Sequence, residues 1–199
     1  MPTPAHTSLE AIVRSGRAIL EAEGPAGLTM TRVADAVGVR PPSLYKRVRN
    51  RGELVRLIGS DVARELGQTL EEATPGADPR ADLRSIALAF RSFARARPQA
   101  YRLLFDPLPD AWRPDPDAGR EAVDVLFRVL SAVVGPEDVL PAARTLVAWA
   151  YGFVSMELAD TFRLGGDVDE AFAFGIERLI DALAPADGRH GIVSTEPTA

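Results

Sequence analysis

Apolar residues recur at steps of three and four along almost the whole 199-residue chain, while segments alternating with a period of two are nearly absent. That period confines the chain to helices: a stripe repeating every 3.6 residues has no flat face to lend to a sheet. Leu9, Ile12, Val13, Ile19 and Leu20 mark a first helix ending near Glu23-Gly24. A second runs from Thr29, a hydroxyl N-cap, to Gly38, and a third from Pro41-Pro42 to about Val48. Leu54, Ile58, Val62 and Leu66 stripe a longer helix over about Gly52–Ala73. Further helices are expected over Ala81–Ala96, Gln99–Phe105, Ala118–Val134, Pro136–Leu164 and Val168–Ala184, with a proline-rich ordered loop or lid at Asp106–Asp117.

The fold class is therefore all-α. Three short helices form an N-terminal domain over residues 1–52. A linker helix joins it to a larger helical domain over 53–185, and a disordered tail follows over 186–199. Cysteine is absent, which excludes disulfides and thiolate chemistry. The two histidines, His6 and His190, lie in stretches that read as tails, so no metal or other cofactor is expected. No apolar run approaches bilayer length, and no signal pattern opens the chain; the expectation is a cytoplasmic protein with no membrane partner.

Charge is divided unevenly. The net charge is −5, yet residues 1–56 carry nine basic and five acidic side chains, leaving the remainder at −9. Between Arg40 and Arg51 there are five cations and no carboxylate. A basic element on an acidic body suits a nucleic-acid-reading head better than a general nucleic-acid coat.

Two short helices joined by Gly38-Val39-Arg40 have the spacing of a helix-turn-helix, whose second helix enters the DNA major groove. Leu44 and Val48, one turn apart, are free to pack inward. Ser43, Lys46 and Arg47 then face the groove, Tyr45 its backbone rim, and Arg40, Arg49 and Arg51 the phosphates at either end. Thr29, Thr31, Arg32 and Pro41 complete the candidate contact set.

These residues resemble a known family. The ordered run Leu28-Thr29-Met30-Thr31-Arg32-Val33-Ala34-Asp35-Ala36-Val37-Gly38-Val39, then Ser43-Leu44-Tyr45-Lys46-Arg47-Val48 and Asn50-Arg51-Gly52-Glu53-Leu54, is similar to the DNA-binding domain of TetR-family transcriptional regulators. The likeness covers about Ser8–Leu57 without a gap. Arg40 stands where that family usually places a capping Ser or Thr, a loss of about 0.5–2 kcal/mol of helix stability. Val48 replaces a usual Phe, and Arg51 a usual Lys. Tyr151-Gly152-Phe153 further resembles a C-terminal motif of some members, with Tyr151 where their His stands, so no role tied to that His carries over.

The resemblance implies a ligand-responsive repressor that binds a palindromic DNA operator as a homodimer through its last two long helices. A stripe of small residues, Ala148, Gly152, Ser155 and Ala159, suits close helix packing there, together with Phe172, Ile176 and Leu179. The effector is expected to be small and mostly apolar, held by Phe90, Phe93, Leu104, Phe105, Trp112, Phe127, Trp149 and Tyr151. Arg91, Arg95, Tyr101, Ser155 and Glu157 are available as polar contacts. Two other classes stay open on the residues alone. One is an enzyme using carboxylate pairs such as Asp106 and Asp110, Asp115 and Asp117, or Glu157 and Asp160. The other is an interaction module whose basic head meets an acidic protein.

Overall fold

A computed structural model describes residues 8–76 and 78–183; the expected tail and both histidines lie outside them. Within that span the chain forms nine α-helices and no strand: α1 Leu9–Gly27, α2 Met30–Ala36, α3 Pro41–Tyr45, α4 Arg51–Glu72, α5 Pro79–Ala96, α6 Pro98–Phe105, α7 Pro116–Val134, α8 Val139–Leu158 and α9 Val168–Leu183. A single 3-10 turn, Asp110–Trp112, interrupts the α6–α7 connection.

Local chemistry sets most of the helix starts. The Ser8 and Thr29 hydroxyls and the Asn50 amide oxygen accept from the backbone N–H groups of Ala11, Arg32 and Glu53, respectively. Prolines occupy the first turns of α3, α5, α6 and α7, where no intrahelical donor is lost. The first helix breaks at Gly24, whose φ of 71° is open to glycine at no steric cost. Gly38 closes α2 in the same left-handed region, as expected.

Two helices are shorter than their apolar pattern suggested. The third stops at Tyr45 because Asn50 is drawn into an extended conformation, with φ −162°, to cap α4, so the chain leaves helical angles a few residues earlier. The eighth spans Val139–Leu158 instead of Pro136–Leu164. Gly135 turns the chain with φ 83° before it. After it, Asp160 adopts φ 52° while the Thr161 N–H donates back to the Met156 carbonyl at 3.0 Å, closing the helix. Asp is one of the few residues that tolerates this conformation, and the positive φ of Gly165 and Gly166 keeps the helix from resuming.

The head, α1–α3, packs around Ile12, Leu20, Leu28, Val33, Leu44 and Val48, all essentially solvent-free. α4 runs from that core into the body, lying on α1 at one end and against α5, α6 and α7 along its length. The expected domain boundary at 52/53 thus falls inside the first turn of a continuous helix. Ion pairs stitch the seam: Arg17 of α1 pairs with Asp61 and Glu65 of α4, and Arg97 reaches Glu65 at 2.7 Å. Glu21 accepts from the Ala100 N–H (2.6 Å) at the start of α6, where the helix dipole favours an anion.

In the body, the buried Arg91 ties α5 to Glu157 of α8 and to the exposed Asp169 at the start of α9. Arg91 of α5, 5% exposed, donates to both carboxylate oxygens of Glu157 (2.8 and 2.7 Å) and to Asp169 (2.6 Å). Its guanidinium lies 4.7 Å from the Phe172 ring centroid. Removing one member of such a pair strands a buried charge. Arg91→Ala should therefore cost about 3–5 kcal/mol in urea unfolding, whereas the exposed Arg14–Glu10 pair should change stability by less than about 1 kcal/mol when Arg14 is replaced by Ala.

Candidate DNA-reading head and body cavity

The head divides its cations into two groups. Arg40, Lys46 and Arg47 are exposed and make no ion pair among the described residues. Arg32, by contrast, pairs with Glu23, and Arg49 with Glu53. Glu53 is held below the usual carboxylate range, chiefly by the Arg49 side-chain hydrogen bond. Leu44 and Val48 face inward with no exposure, which turns Ser43, Tyr45 (49% exposed), Lys46 and Arg47 outward. Thr31 is exposed at the start of α2 beside Thr29, whose hydroxyl serves as the cap, and Pro41 is half-buried at the start of α3. These positions form one edge of the head.

Arg51 is not part of that edge. Its Nε donates to the Leu28 carbonyl (2.8 Å) and a terminal nitrogen to the Pro25 carbonyl (2.7 Å), so the guanidinium expected at a phosphate is spent on the α1–α2 connection.

A cavity of about 1080 Å³ lies between α4, α5, α7 and α8. Leu66 and Leu70 of α4, Leu83, Ile86 and Phe90 of α5, Leu126 of α7, Leu146 and Ala150 of α8 and Ile176 of α9 line it. Leu104, Phe105 and residues of the 106–116 segment complete the wall. Among the described residues its charged lining, Arg56, Asp106, Asp110, Arg113 and Asp115, comes from the first turns of α4 or that segment, at one end of the cavity.

Of the eight side chains expected to form the wall, Phe90, Leu104 and Phe105 do so. Phe93 lies a turn further along α5, buried beneath Arg97, whose guanidinium is 5.3 Å from its ring. Trp149 and Tyr151 flank Ala150, and a helix rotates neighbouring side chains about 100° apart. With Ala150 inward, Trp149 packs on Phe172 (5.0 Å between centroids) and over Gly175, while Tyr151 turns outward beside Phe105. Tyr151 and Phe127 share a shallow outer groove with Leu140 and Val147. Trp112 sits instead against the start of α4.

The polar groups expected at the ligand are engaged elsewhere. Arg91 and Arg95 of α5 and Glu157 of α8 belong to the charge cluster that meets Asp169 of α9, and the Tyr101 hydroxyl lies 3.3 Å from both Ser155 Oγ and the Tyr151 carbonyl.

The residues expected at a subunit interface also separate. Ala148, Gly152 and Ala159 are on the open side of α8, and no side chain lies where a Cβ of Gly152 would reach. Ser155 leans inward to Tyr101. Phe172 and Ile176 are wholly committed within the chain, one under Arg91 and the other in the cavity wall, and Leu179 is half-buried. The inward stripe of α9 is Phe172, Ile176 and Ile180, which leaves Phe174, 65% exposed, on its outer face with Arg178 over its ring. The i+2 offset from Phe172 was the available signal for Phe174. α8 has a mean hydropathy of 1.2 over a bilayer-length window, more apolar than the sequence reading allowed, and Leu140, Val147 and Met156 are exposed along it.

Small residues on α4 were also missed. Gly52 and Gly59 are seven apart, two helical turns, and with Ser60 form a flat strip on which segment 112–115 lies. A Cβ on Gly52 would overlap the Trp112 ring, and one on Gly59 would come within 2.9 Å of Pro114. Ser60 Oγ accepts from the Asp115 N–H at 2.8 Å.

Fold and head together put the protein among helix-turn-helix regulators of transcription. The family model for the tetracycline-repressor-like C-terminal domain matches residues 83–179. A helix-turn-helix transcriptional regulator of Mycobacterium tuberculosis is 29% identical over 196 residues, covering 96% of this chain and 88% of that one. Another, from Mycobacterium bovis, is 31% identical over 143 residues, covering 68% and 61%. Among solved structures, BioQ of Mycobacterium smegmatis superposes with a TM-score of 0.67 at 26% identity over 89% of this chain and 97% of that one. A variant TetR from Acinetobacter baumannii in complex with minocycline gives 0.66 at 22% identity over 88% and 95%, a likeness of fold. The chain belongs to the TetR family of transcriptional regulators, a family of DNA-binding proteins and not of enzymes.

Burial in the aromatic cluster behind the cavity pushes the Tyr101 phenol up from about 10 to about 12, with the Ser155 hydrogen bond working against it. Because the folded-state value is the higher one, the stability gained by keeping the phenol neutral is complete below about pH 10 and is lost as the pH rises towards 12. Tyr101→Phe should cost about 1 kcal/mol near neutrality. It should also lose less stability than the wild type between about pH 9 and pH 11, measured as urea midpoints.

Proposed function

We propose that the protein is a ligand-responsive repressor that binds a palindromic operator as a homodimer and leaves it when a mostly apolar molecule fills the body cavity. The observation that carries this reading is the double role of α4. One end is anchored in the head that presents Arg40, Lys46 and Arg47, and its middle turns line the cavity.

In this reading Ser43, Lys46 and Arg47 reach base edges, Tyr45 and Pro41 the groove wall, and Arg40, Thr29, Thr31 and Arg32 the phosphates, with Arg32 exchanging Glu23 for DNA. Unpaired cations suit that task, since counterion release rewards charges that need not leave a protein partner. One such head reads too few base pairs to select a site; two on a common axis read half-sites about one helical turn or a multiple apart. The open apolar side of α8 and Phe174 on α9 supply the surface for that pairing, with Ala148, Gly152 and Ala159 allowing close approach. Residues up to about 52 serve as the reading head and the rest as the effector and pairing domain. A dimer seated on a promoter blocks transcription until the ligand favours the state that does not bind.

The cavity supports a ligand whose buried part carries no hydrogen-bonding group, because among the described residues no polar side chain lines its interior end. A polar centre there loses its water without compensation.

Selection of genomic DNA fragments by the purified protein tests the reading. A single palindromic motif is expected, and random DNA or none removes it. Lys46→Ala should weaken binding to the selected site about tenfold and lower the slope of log affinity against log salt by about one. Phe174→Glu should shift the protein to monomer in sedimentation and abolish discrimination of the palindrome while leaving the fold intact.

A further inference from the structure

Two side chains that sequence placed at separate sites, Arg51 at DNA and Trp112 at the ligand, meet at the seam between head and body. Arg51, the first residue of α4, holds the Pro25 and Leu28 carbonyls, the second of which immediately precedes the Thr29 cap of α2. The Trp112 ring covers that guanidinium at 5.3 Å from its centroid and lies on the α4 backbone where Gly52 leaves room. On either side of Trp112, Ala111 and Arg113 line the cavity, as do Leu108 and Pro114. The segment is tied down again at Ser60, through the Asp115 N–H. From cavity wall to the base of α2 the path is therefore one indole and one guanidinium. The residues that α4 itself contributes to the wall begin only at Arg56, more than a turn beyond Arg51.

We propose that Trp112 is a positioning residue that couples the cavity to the head. A molecule in the cavity bears on segment 106–115 and moves the indole off Arg51. The freed guanidinium loosens its hold on the Pro25 and Leu28 carbonyls, and α2 and α3 lose the orientation that reads DNA. This rests on the ligand-responsive reading above. The ring face is attracted to the guanidinium while its edge rests on a glycine, so a small shift of the segment changes the contact directly, with no side chain at 52 to cushion it.

The test uses the full chain and the neutral apolar dye N-phenyl-1-naphthylamine as probe. Dye fluorescence reports occupancy of the cavity, and amide hydrogen exchange over residues 25–48 reports the head. In the wild type, bound dye should speed exchange in that stretch about tenfold, a coupling of the usual allosteric size. Trp112→Ala should bind dye as the wild type does, within about threefold, yet show less than about a twofold response in the head. Trp112→Phe, which keeps a ring over Arg51, should restore most of the response. Dye-induced exchange in Trp112→Ala equal to that of the wild type overturns the relay, as does a wild-type head that ignores bound dye. Absence of dye binding in the wild type overturns the cavity reading itself, a result told apart by fluorescence alone. A loss of response in Trp112→Ala that Trp112→Phe does not restore also counts against the relay, since it points to packing alone.

Discussion

One unbroken helix constrains everything else in this molecule. α4, 22 residues long, is capped by Asn50 inside the head and ends among the body helices, so head and body share a rigid rod and neither settles its orientation alone. Leu54 and Ile58 on its first turns close the head core, while Leu66 and Leu70 further along face the cavity. A helix with that many buried positions bends little, and its strip of small residues at 52, 59 and 60 lets the α6–α7 segment lie directly on its backbone. The packing that makes the protein one object is thus also the packing that joins the head to the cavity wall.

Charge follows the same division of labour. Across the seam and in the body, several arginines are committed: Arg17 to Asp61 and Glu65, Arg91 to Glu157 and Asp169, and Arg84 to Glu177. The Arg84 pair raises the guanidinium value and lowers the carboxylate, mainly through their mutual hydrogen bond. The half-exposed Arg84 pair is screened by solvent and fixes geometry more than it stabilises, whereas the buried Arg91–Glu157 pair is costly to break because its partner would be left unpaired. At the head, Arg40, Lys46 and Arg47 stand close together in the chain without carboxylate partners among the described residues, whereas the unpaired arginines of the body, Arg64, Arg102, Arg144 and Arg163, are scattered over separate elements; a local excess of uncommitted positive charge is what a polyanion selects.

Much of the fold was legible because its signals are local. Thr29 as a cap, Gly38 as a left-handed stop, the paired prolines opening α3 and the Leu44–Val48 inward pair depend on residues within a turn or two of each other, and each is found as expected. The ordered motif from Leu28 to Leu54 also led to the right family. The body was less legible. Aromatic composition alone does not say which ring faces an empty volume, and Phe93, Trp112, Phe127, Trp149 and Tyr151 each turned out to pack elsewhere. The rotation of each helix against its neighbours decides that, and Ala150 facing the cavity forces Trp149 and Tyr151 to either side of it.

The sequence by itself determined that the chain is helical, where its caps and left-handed stops fall in the N-terminal helices, which cations cluster around the helix-turn-helix and to which family it belongs. Each of those follows from chemistry repeated at short range. Only the tertiary structure decided that Arg51 holds the α1–α2 connection, that Trp112 covers it, and that Phe172 and Ile176 lie in the core while Phe174 is left outside. Contacts between positions 28 and 51, or 51 and 112, join elements far apart in the chain. Their partners are chosen by how whole helices dock, and no local pattern records that choice.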